Sequence, residues 1–134
     1  MVYHNRFADE RLTSIWWALR FGLGVAVFLA GLDKFFNVLA DWPQYLHPAV
    51  TQFVPAATFM QAVGVVEMIV GVIILAGLPR LGGYVAGVWL IGIALNLLST
   101  GTFRDLAVRA VEIAIAAYAL ARLSEVRRAQ GLRA

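Results

Sequence analysis

The chain has no cysteine among its 134 residues, and only 14% of the residues are charged. The missing cysteines exclude disulfides, thiolate catalysis, iron–sulfur clusters and cysteine-based zinc sites. The two histidines, His4 and His47, lie outside the apolar runs, so neither a metal nor a covalently bound cofactor is expected. With 61% hydrophobic residues and a mean hydropathy of +0.77, the sequence is too apolar for a soluble domain. An integral membrane protein is predicted.

Four long apolar runs each approach the ~20 residues that a helix needs to cross a bilayer. They cover about residues 15–32, 56–78, 81–98 and 103–123. The runs do not alternate apolar with polar residues, which disfavours spanning strands. No small-residue cleavage site follows the first run, so a retained helix is expected there rather than a signal peptide. The predicted fold is all-α, a four-transmembrane-helix bundle that forms one integral membrane domain over residues 1–134.

Lysine and arginine residues outside the runs or at their ends are unevenly distributed between the two sides of this bundle. One side would carry Arg6, Arg11, Arg80, Arg122, Arg127, Arg128 and Arg133, and the other would carry Lys34 and Arg104. Because cytoplasmic loops are rich in these residues, both termini are predicted to be cytoplasmic. The net charge of +3 then reports topology, and no nucleic-acid partner is expected. The arginines of the C-terminal tail are expected to contact anionic lipids.

Residues 37–55, between the first two runs, form the only segment with room for structure outside the membrane. Three prolines disfavour a long helix there, and Trp42 and Tyr45 are residue types that favour the membrane–water boundary. A short interfacial segment on the outer face is predicted, and a lid over a substrate site is the alternative. In the third run, Gly83 and Gly87 form a Gly-x-x-x-Gly pair, which predicts close helix packing.

Besides Arg104 and Arg122, already assigned to the two sides, six ionisable residues lie within the runs or at their ends, where a charge at mid-bilayer costs roughly 2.5–3.5 kcal/mol. They are Arg20, Lys34, Glu67, Asp105, Arg109 and Glu112. Because the set contains as many cations as anions, it can neutralise itself by mutual pairing. Each member is therefore expected to have a partner or a function.

Depth and helical spacing predict which of these groups meet. Glu67 and Glu112 lie at similar depths, ~16 Å and ~13 Å from the outer boundary at 1.5 Å per residue. Spacings of four and three place Asp105, Arg109 and Glu112 on one helix face. We expect that face to point into the bundle, where Arg109 bridges the two carboxylates and reaches Glu67.

The remaining polar groups of the runs have predicted contacts as well. Arg20 is expected to pair with Glu67 or to extend to the membrane interface. Lys34, at the outer end of the first run, can meet Asp105. Asn96, near the outer end of the third run, is expected to hydrogen-bond into the same outer cluster.

Three interpretations of these charges remain open. They are an ion-pair network that fixes helix register and partner choice, a polar pocket or proton path that holds a small polar ligand or a quinone headgroup, or a surface that faces another subunit. Glu67 is the residue that we expect to respond to protons, because a carboxylate at that depth depends on its cationic partners to stay ionised.

Short motifs along the chain resemble those of a known family. Arg20 is followed by Gly22-x-Gly24 and by the segment FLAGLDKF at residues 28–35, and Glu67 is followed by Gly71. Arg104, Asp105 and Leu106 open the last run. These residues resemble the DoxX-like small four-helix integral membrane proteins. Arg109 and Glu112 have no counterpart in that pattern, so their roles rest on spacing alone.

The resemblance implies a membrane subunit of a quinone-linked redox complex in the bacterial inner membrane, itself without metal. It implies an accessory subunit more than an autonomous enzyme, with quinone as a ligand, and with membrane lipids and other membrane protein subunits as partners. A purely structural scaffold subunit that packs against a larger complex is the alternative. A small transporter or channel is a second alternative.

Overall fold

Each of the four apolar runs forms a long helix in the computed structural model, which describes residues 6–131 and their side chains from residue 10 onward. These helices are α1 (Arg6–Asp33), α3 (Ala56–Ala76), α4 (Pro79–Thr100) and α5 (Arg104–Ala129). Between α1 and α3 lie a 3-10 turn (Trp42–Tyr45) and the one-turn helix α2 (Pro48–Thr51). The predicted all-helical fold is confirmed for the described residues.

In the described part of the chain, three helices are long and apolar enough to cross a membrane. They are Glu10–Asp33, Ala56–Ala76 and Pro79–Thr100. The helix α5 is as long as these, but its charged residues separate it from them in composition. The protein is therefore of the membrane type, with several apolar helices.

Glycine pairs set the contact between α1 and α3, which run antiparallel. Gly31 faces Gly64, and seven residues further into the bundle Gly24 faces Gly71. A Cβ atom added to Gly31 would lie 2.5 Å from the carbonyl oxygen of Gly64, so only glycine permits this backbone approach. Close contact of this kind provides the van der Waals packing that holds helices together in lipid.

The helices α4 and α5 form a second antiparallel pair, with glycine on α4 and alanine on α5. A Cβ at Gly83 would lie 2.8 Å from the carbonyl oxygen of Ala117, whereas one at Gly87 would lie 3.6 Å from that of Ala114. The predicted close packing of the Gly-x-x-x-Gly pair is thus present, and it is tightest at Gly83. The turn between α4 and α5 begins at Gly101, whose φ of 74° is a left-handed conformation that glycine adopts without strain.

The bundle core is thin, and large apolar side chains cover its outside. One core cluster is formed by Trp16, Leu23, Val70, Ile74, Ala86, Ala117 and Leu120, and a second by Ala94, Leu97, Ala107 and Ala110. Exposed side chains such as Phe21, Ile69 and Val88 cover the outer surfaces of α1, α3 and α4. An apolar exterior around a small core is what a lipid environment requires.

Candidate functional site

The most buried charges of the described chain form one ion pair between α1 and α3. Nζ of Lys34, the residue that follows α1, lies 2.6 Å from Oε2 of Glu67, and both side chains are buried. The same ammonium donates to the carbonyl oxygen of Ala30 at 3.4 Å. It also lies 3.8 Å from the centroid of the Trp42 ring, a favourable cation–π distance. The pairing therefore leaves the charge of Glu67 neutralised inside the bundle.

The direction of helical side chains explains why a residue at the outer end of α1 reaches a carboxylate in the middle of α3. Side chains on a helix lean toward its N-terminus. Since α1 and α3 are antiparallel, Lys34 leans inward and Glu67 leans outward, so their heads meet between the two backbone positions. Gly64 makes room for this approach, because the Cβ of Lys34 lies close above it.

The second carboxylate oxygen of Glu67 faces Trp89 of α4, and Glu67 also lines a cavity between the long helices. Nε1 of Trp89 donates to Oε1 of Glu67 at 3.5 Å. The cavity, of about 110 Å³, is lined by all four long helices, including Ala30 of α1, Glu67 of α3, Trp89 of α4 and Ile113 of α5. Its volume is comparable to the ~150 Å³ of an apolar cavity that holds one benzene ring. Its wall is almost entirely apolar, and Glu67 and Trp89 are the lining residues that carry polar groups.

The cavity is partly open on the side between α1 and α5. Two of its lining residues, Ala26 and Ile113, are exposed on the outer surface of the bundle. At the other end, α1 and α5 are joined, because Nε1 of Trp16 donates to Oγ of Ser124 at 2.9 Å. An opening between α1 and α3 does not form, since the glycine pairs bring these helices into backbone contact.

The segment between α1 and α3 folds back over the ion pair. The carboxylate of Asp33 accepts hydrogen bonds from the backbone N–H groups of Val38 and Leu39 and from Nε1 of Trp42, the last at 2.9 Å. These bonds hold the indole of Trp42 over the ammonium of Lys34. The segment thus covers the outer end of the site, a geometry that fits both the interfacial segment and the lid predicted from the sequence.

Asn96 fixes the same segment to α4. Its Nδ2 donates to the carbonyl oxygen of Tyr45 at 2.8 Å, and its Oδ1 accepts from the backbone N–H of His47 at 3.2 Å. The Tyr45 ring packs edge-on against Phe103, with 4.7 Å between ring centroids. Asn96 therefore lies near the C-terminal end of α4, and its partners are backbone groups of this segment rather than the predicted charge cluster.

Arg20 lies apart from Glu67 and caps the end of α3. Its Nε donates to the carbonyl oxygen of Ile74 at 2.8 Å, and its Nη2 donates to that of Leu75 at 3.1 Å. The last carbonyls of a helix have no partner within the helix, so the guanidinium satisfies two of them. The predicted contact with Glu67 does not form, because these carbonyls lie about two helical turns, or ~10 Å, from Glu67 along α3.

The predicted orientation of α5 is wrong. Asp105, Arg109 and Glu112 do share one face of α5, but all three are exposed on the outside of the bundle. Alanines on the opposite face pack against α4, since small residues allow the close approach that the glycine-containing helix requires. Within residues 10–131, neither the Arg109–Glu67 pair nor the Lys34–Asp105 pair forms, and Lys34 pairs with Glu67 instead.

A polar cluster at the opposite end of α4 and α5 was not predicted. Glu125 accepts from the hydroxyl of Tyr84 at 2.6 Å and from Nε of Arg80 at 3.2 Å, and it pairs with Arg122 at 3.2 Å. The Tyr84 hydrogen bond, and then the two arginines, hold the pKa of Glu125 below its ordinary value. The spacing of three between Arg122 and Glu125 was the only sequence signal for this cluster.

These features define a helical membrane-type protein with a buried ion pair beneath a folded outer segment. The DoxX family model matches residues 15–99, more than half of the chain, and the chain belongs to the DoxX family. The matched region includes Arg20, Lys34, Glu67 and Asn96, whereas all of α5 lies beyond it. The comparisons with curated proteins and with solved structures give no match.

Proposed function

We propose that this DoxX-family chain is an accessory membrane subunit of a quinone-linked redox complex, and that it binds a quinone headgroup in the cavity beside Glu67. The observation that supports this is the cavity itself, an apolar space of about 110 Å³ whose lining residues include Glu67 and Trp89. Other membrane protein subunits would supply the electron donor. A bacterial inner membrane is the proposed location.

The proposed topology has four spanning helices and both termini in the cytoplasm. Although α5 is more charged than the other three, it lies beside α4, with contacts at Gly83 near one end and at Leu97 near the other. If α4 crosses the membrane, α5 must cross it too. An even number of spans places both termini on one side, and the excess of lysine and arginine there favours the cytoplasm.

The residues around the cavity suit a quinone headgroup. The quinone would supply the redox chemistry, and the chain would bind and orient it. The indole N–H of Trp89, whose bond to Oε1 of Glu67 is long at 3.5 Å, would donate to a ring carbonyl of the quinone instead. Lys34 pairs with Oε2 of Glu67, and Oε1 faces Trp89. The opening beside Ala26 and Ile113 gives an isoprenoid tail a path into the lipid.

Binding of a short-chain quinone to the purified protein in lipid nanodiscs tests this proposal, with quenching of tryptophan fluorescence as the readout. Trp89→Phe is expected to weaken binding about tenfold, the loss of one hydrogen bond to a ring carbonyl. Glu67→Gln is expected to weaken binding as well, because Lys34 then loses its charged partner beside the cavity. Asp41→Asn, in the exposed outer segment, is the matched control and should bind normally. In the native complex, Glu67→Gln should abolish quinone-linked turnover and leave assembly intact. Equal quinone binding by all four proteins would refute the site.

A scaffold subunit without a ligand is the second candidate, and one observation favours it. Lys34 and Glu67 neutralise each other beneath Trp42, and no buried side-chain polar atom of the described residues lacks a hydrogen-bond partner. Such a site needs no ligand to be stable. If Glu67→Gln prevents assembly of the native complex and quinone has no effect on tryptophan fluorescence, the chain is a scaffold subunit and does not bind quinone.

A further inference from the structure

The outward face of α5 carries charges where the proposed topology places lipid. Arg104, Asp105, Arg109 and Glu112 are all exposed on this face, beside the exposed apolar side chains of Val108 and Ile115. We call these six residues the α5 face. A charged side chain facing hydrocarbon costs roughly 2.5–3.5 kcal/mol near the centre of a bilayer.

Extension of side chains to the membrane surface does not remove this cost for the whole face. Glu112 lies eight residues into α5, ~12 Å from its start at 1.5 Å per residue, and its short side chain cannot span that distance. Among the described residues, no salt bridge involves a charged residue of the α5 face, and Glu125, which pairs with Arg80 and Arg122, lies at the other end of the helix. A second protein surface over the α5 face would shield Glu112 and its charged neighbours from the lipid.

The α5 face is complementary to itself. It carries two cations and two anions, so two such faces together are neutral. All copies insert in the same direction, so a two-fold axis along the membrane normal places two α5 helices side by side in parallel. Arg109 then lies ~6 Å along the axis from Asp105 of the second copy and ~4.5 Å from its Glu112, at 1.5 Å per residue. Both distances are within reach of an arginine side chain.

We propose that the α5 face is the contact between two copies of this chain, which form a parallel two-fold dimer in the membrane. Arg109 of each copy lies between Asp105 and Glu112 of the other, and Val108 and Ile115 pack across the axis. A two-fold contact uses the same patch on both copies, which is what a face of balanced charge provides. This proposal rests on the proposed four-span topology, in which α5 crosses the membrane.

Disulfide crosslinking in native membranes tests the dimer, because the chain has no cysteine of its own. Val108→Cys and Ile115→Cys lie on the α5 face, 58% and 63% exposed, and should form a crosslinked dimer on oxidation. Ile69→Cys and Val88→Cys, at 54% and 76% exposure on α3 and α4, are matched controls and should crosslink several-fold less. Equal crosslinking at all four positions, or a crosslink from Val108→Cys to a different protein, would overturn the proposal.

Exchange of charges between two copies gives a second, independent readout. One copy carries Arg109→Glu, and a differently tagged copy carries Asp105→Arg with Glu112→Arg. Each altered copy alone should lose its dimer, because its faces then repel, and the two together should co-purify. Dimers of either altered copy alone would show that another surface holds the copies together.

Labelling separates failure of the dimer from failure of the topology. In oriented vesicles, a membrane-impermeant maleimide should leave Val108→Cys unmodified. Rapid labelling would show that α5 lies in water, which would overturn the four-span topology and the dimer with it. If Val108→Cys is neither labelled nor crosslinked, α5 is in the membrane and the dimer alone is refuted.

Discussion

Nζ of Lys34 lies 2.6 Å from Oε2 of Glu67, so a lysine at the outer end of α1 neutralises a carboxylate in the middle of α3. Both groups are buried, and the ammonium has a further contact with the Trp42 ring. The pair therefore links the first two long helices and the segment between them at one point. Removal of either member leaves an uncompensated charge inside the bundle.

Breaking this ion pair should destabilise the protein more than removing both of its charges. Lys34→Met and Glu67→Leu are each expected to lower the free energy of unfolding by about 3–5 kcal/mol, because a buried charge loses its partner. The double variant should lose much less than the sum of the two. Denaturant unfolding in detergent micelles measures all three values.

The exposed ion pair between Arg80 and Glu125 provides the control for this comparison of single and double variants. Arg80 is 48% exposed, and Arg80→Met should change the free energy of unfolding by no more than about 1 kcal/mol. If Lys34→Met costs no more than Arg80→Met, or if the Lys34 and Glu67 losses simply add, the buried pair does not hold the helices together.

Gly31 should tolerate no side chain, whereas another glycine of the same helix should. A Cβ at Gly31 would lie 2.5 Å from the carbonyl oxygen of Gly64, so Gly31→Ala must separate α1 from α3. A loss of about 1–3 kcal/mol is expected from this overpacking. At Gly22 no atom lies within 4 Å of a new Cβ, so Gly22→Ala should be neutral or stabilise α1 by up to about 1 kcal/mol.

Thermal unfolding in detergent compares these two alanine variants directly. A lower midpoint for Gly31→Ala, with an unchanged or higher midpoint for Gly22→Ala, is the expected result. Equal midpoints would mean that the two helices are not in backbone contact at Gly31.

Asn96 should control how firmly the outer segment is held. Asn96→Leu removes the hydrogen bonds to Tyr45 and His47, each worth about 0.5–1.5 kcal/mol. In the purified protein in detergent, residues 37–55 should then be cleaved several-fold faster by an added protease. Ser99→Ala is the matched control, since its exposed hydroxyl bonds only within α4. Unchanged cleavage of the Asn96 variant would show that Asn96 does not hold the segment.

The positions of the long helices could be predicted because the length and continuity of an apolar run decide them. The fourth helix was found in the same way, although its charges set it apart in composition. The observed bounds extend beyond the predicted runs, most clearly in α1, which begins at Arg6, and α5, which continues to Ala129. Polar helix ends carry no apolar signal, so the runs could not define them.

The contacts of the charged groups could be predicted only in part. The depths calculated from backbone positions place Lys34 and Glu67 too far apart to pair. Their side chains meet because helical side chains lean toward the N-terminus, which is in opposite directions on two antiparallel helices. Helical spacing correctly places Arg109 and Glu112 on one face, but it does not tell which face of α5 touches the bundle. That choice depends on the close approach at Gly83, which requires alanine on the facing side.

Acid should destabilise the α4–α5 end of the bundle through Glu125. The hydroxyl of Tyr84 and then the nearby arginines hold the pKa of Glu125 below its ordinary value, so the folded state favours the ionised carboxylate. The stabilisation by ionised Glu125 is complete above the unfolded-state pKa of glutamate, ~4.3. It is lost as the pH falls through the lower folded-state pKa. Between about pH 6 and pH 3, wild-type protein should therefore lose more thermal stability than Glu125→Gln. Tyr84→Phe removes the largest cause of the lowered pKa, so its pH dependence should lie between those of the wild-type protein and Glu125→Gln. Identical pH profiles for the wild-type protein and both variants would show that the ionisation of Glu125 is not coupled to folding.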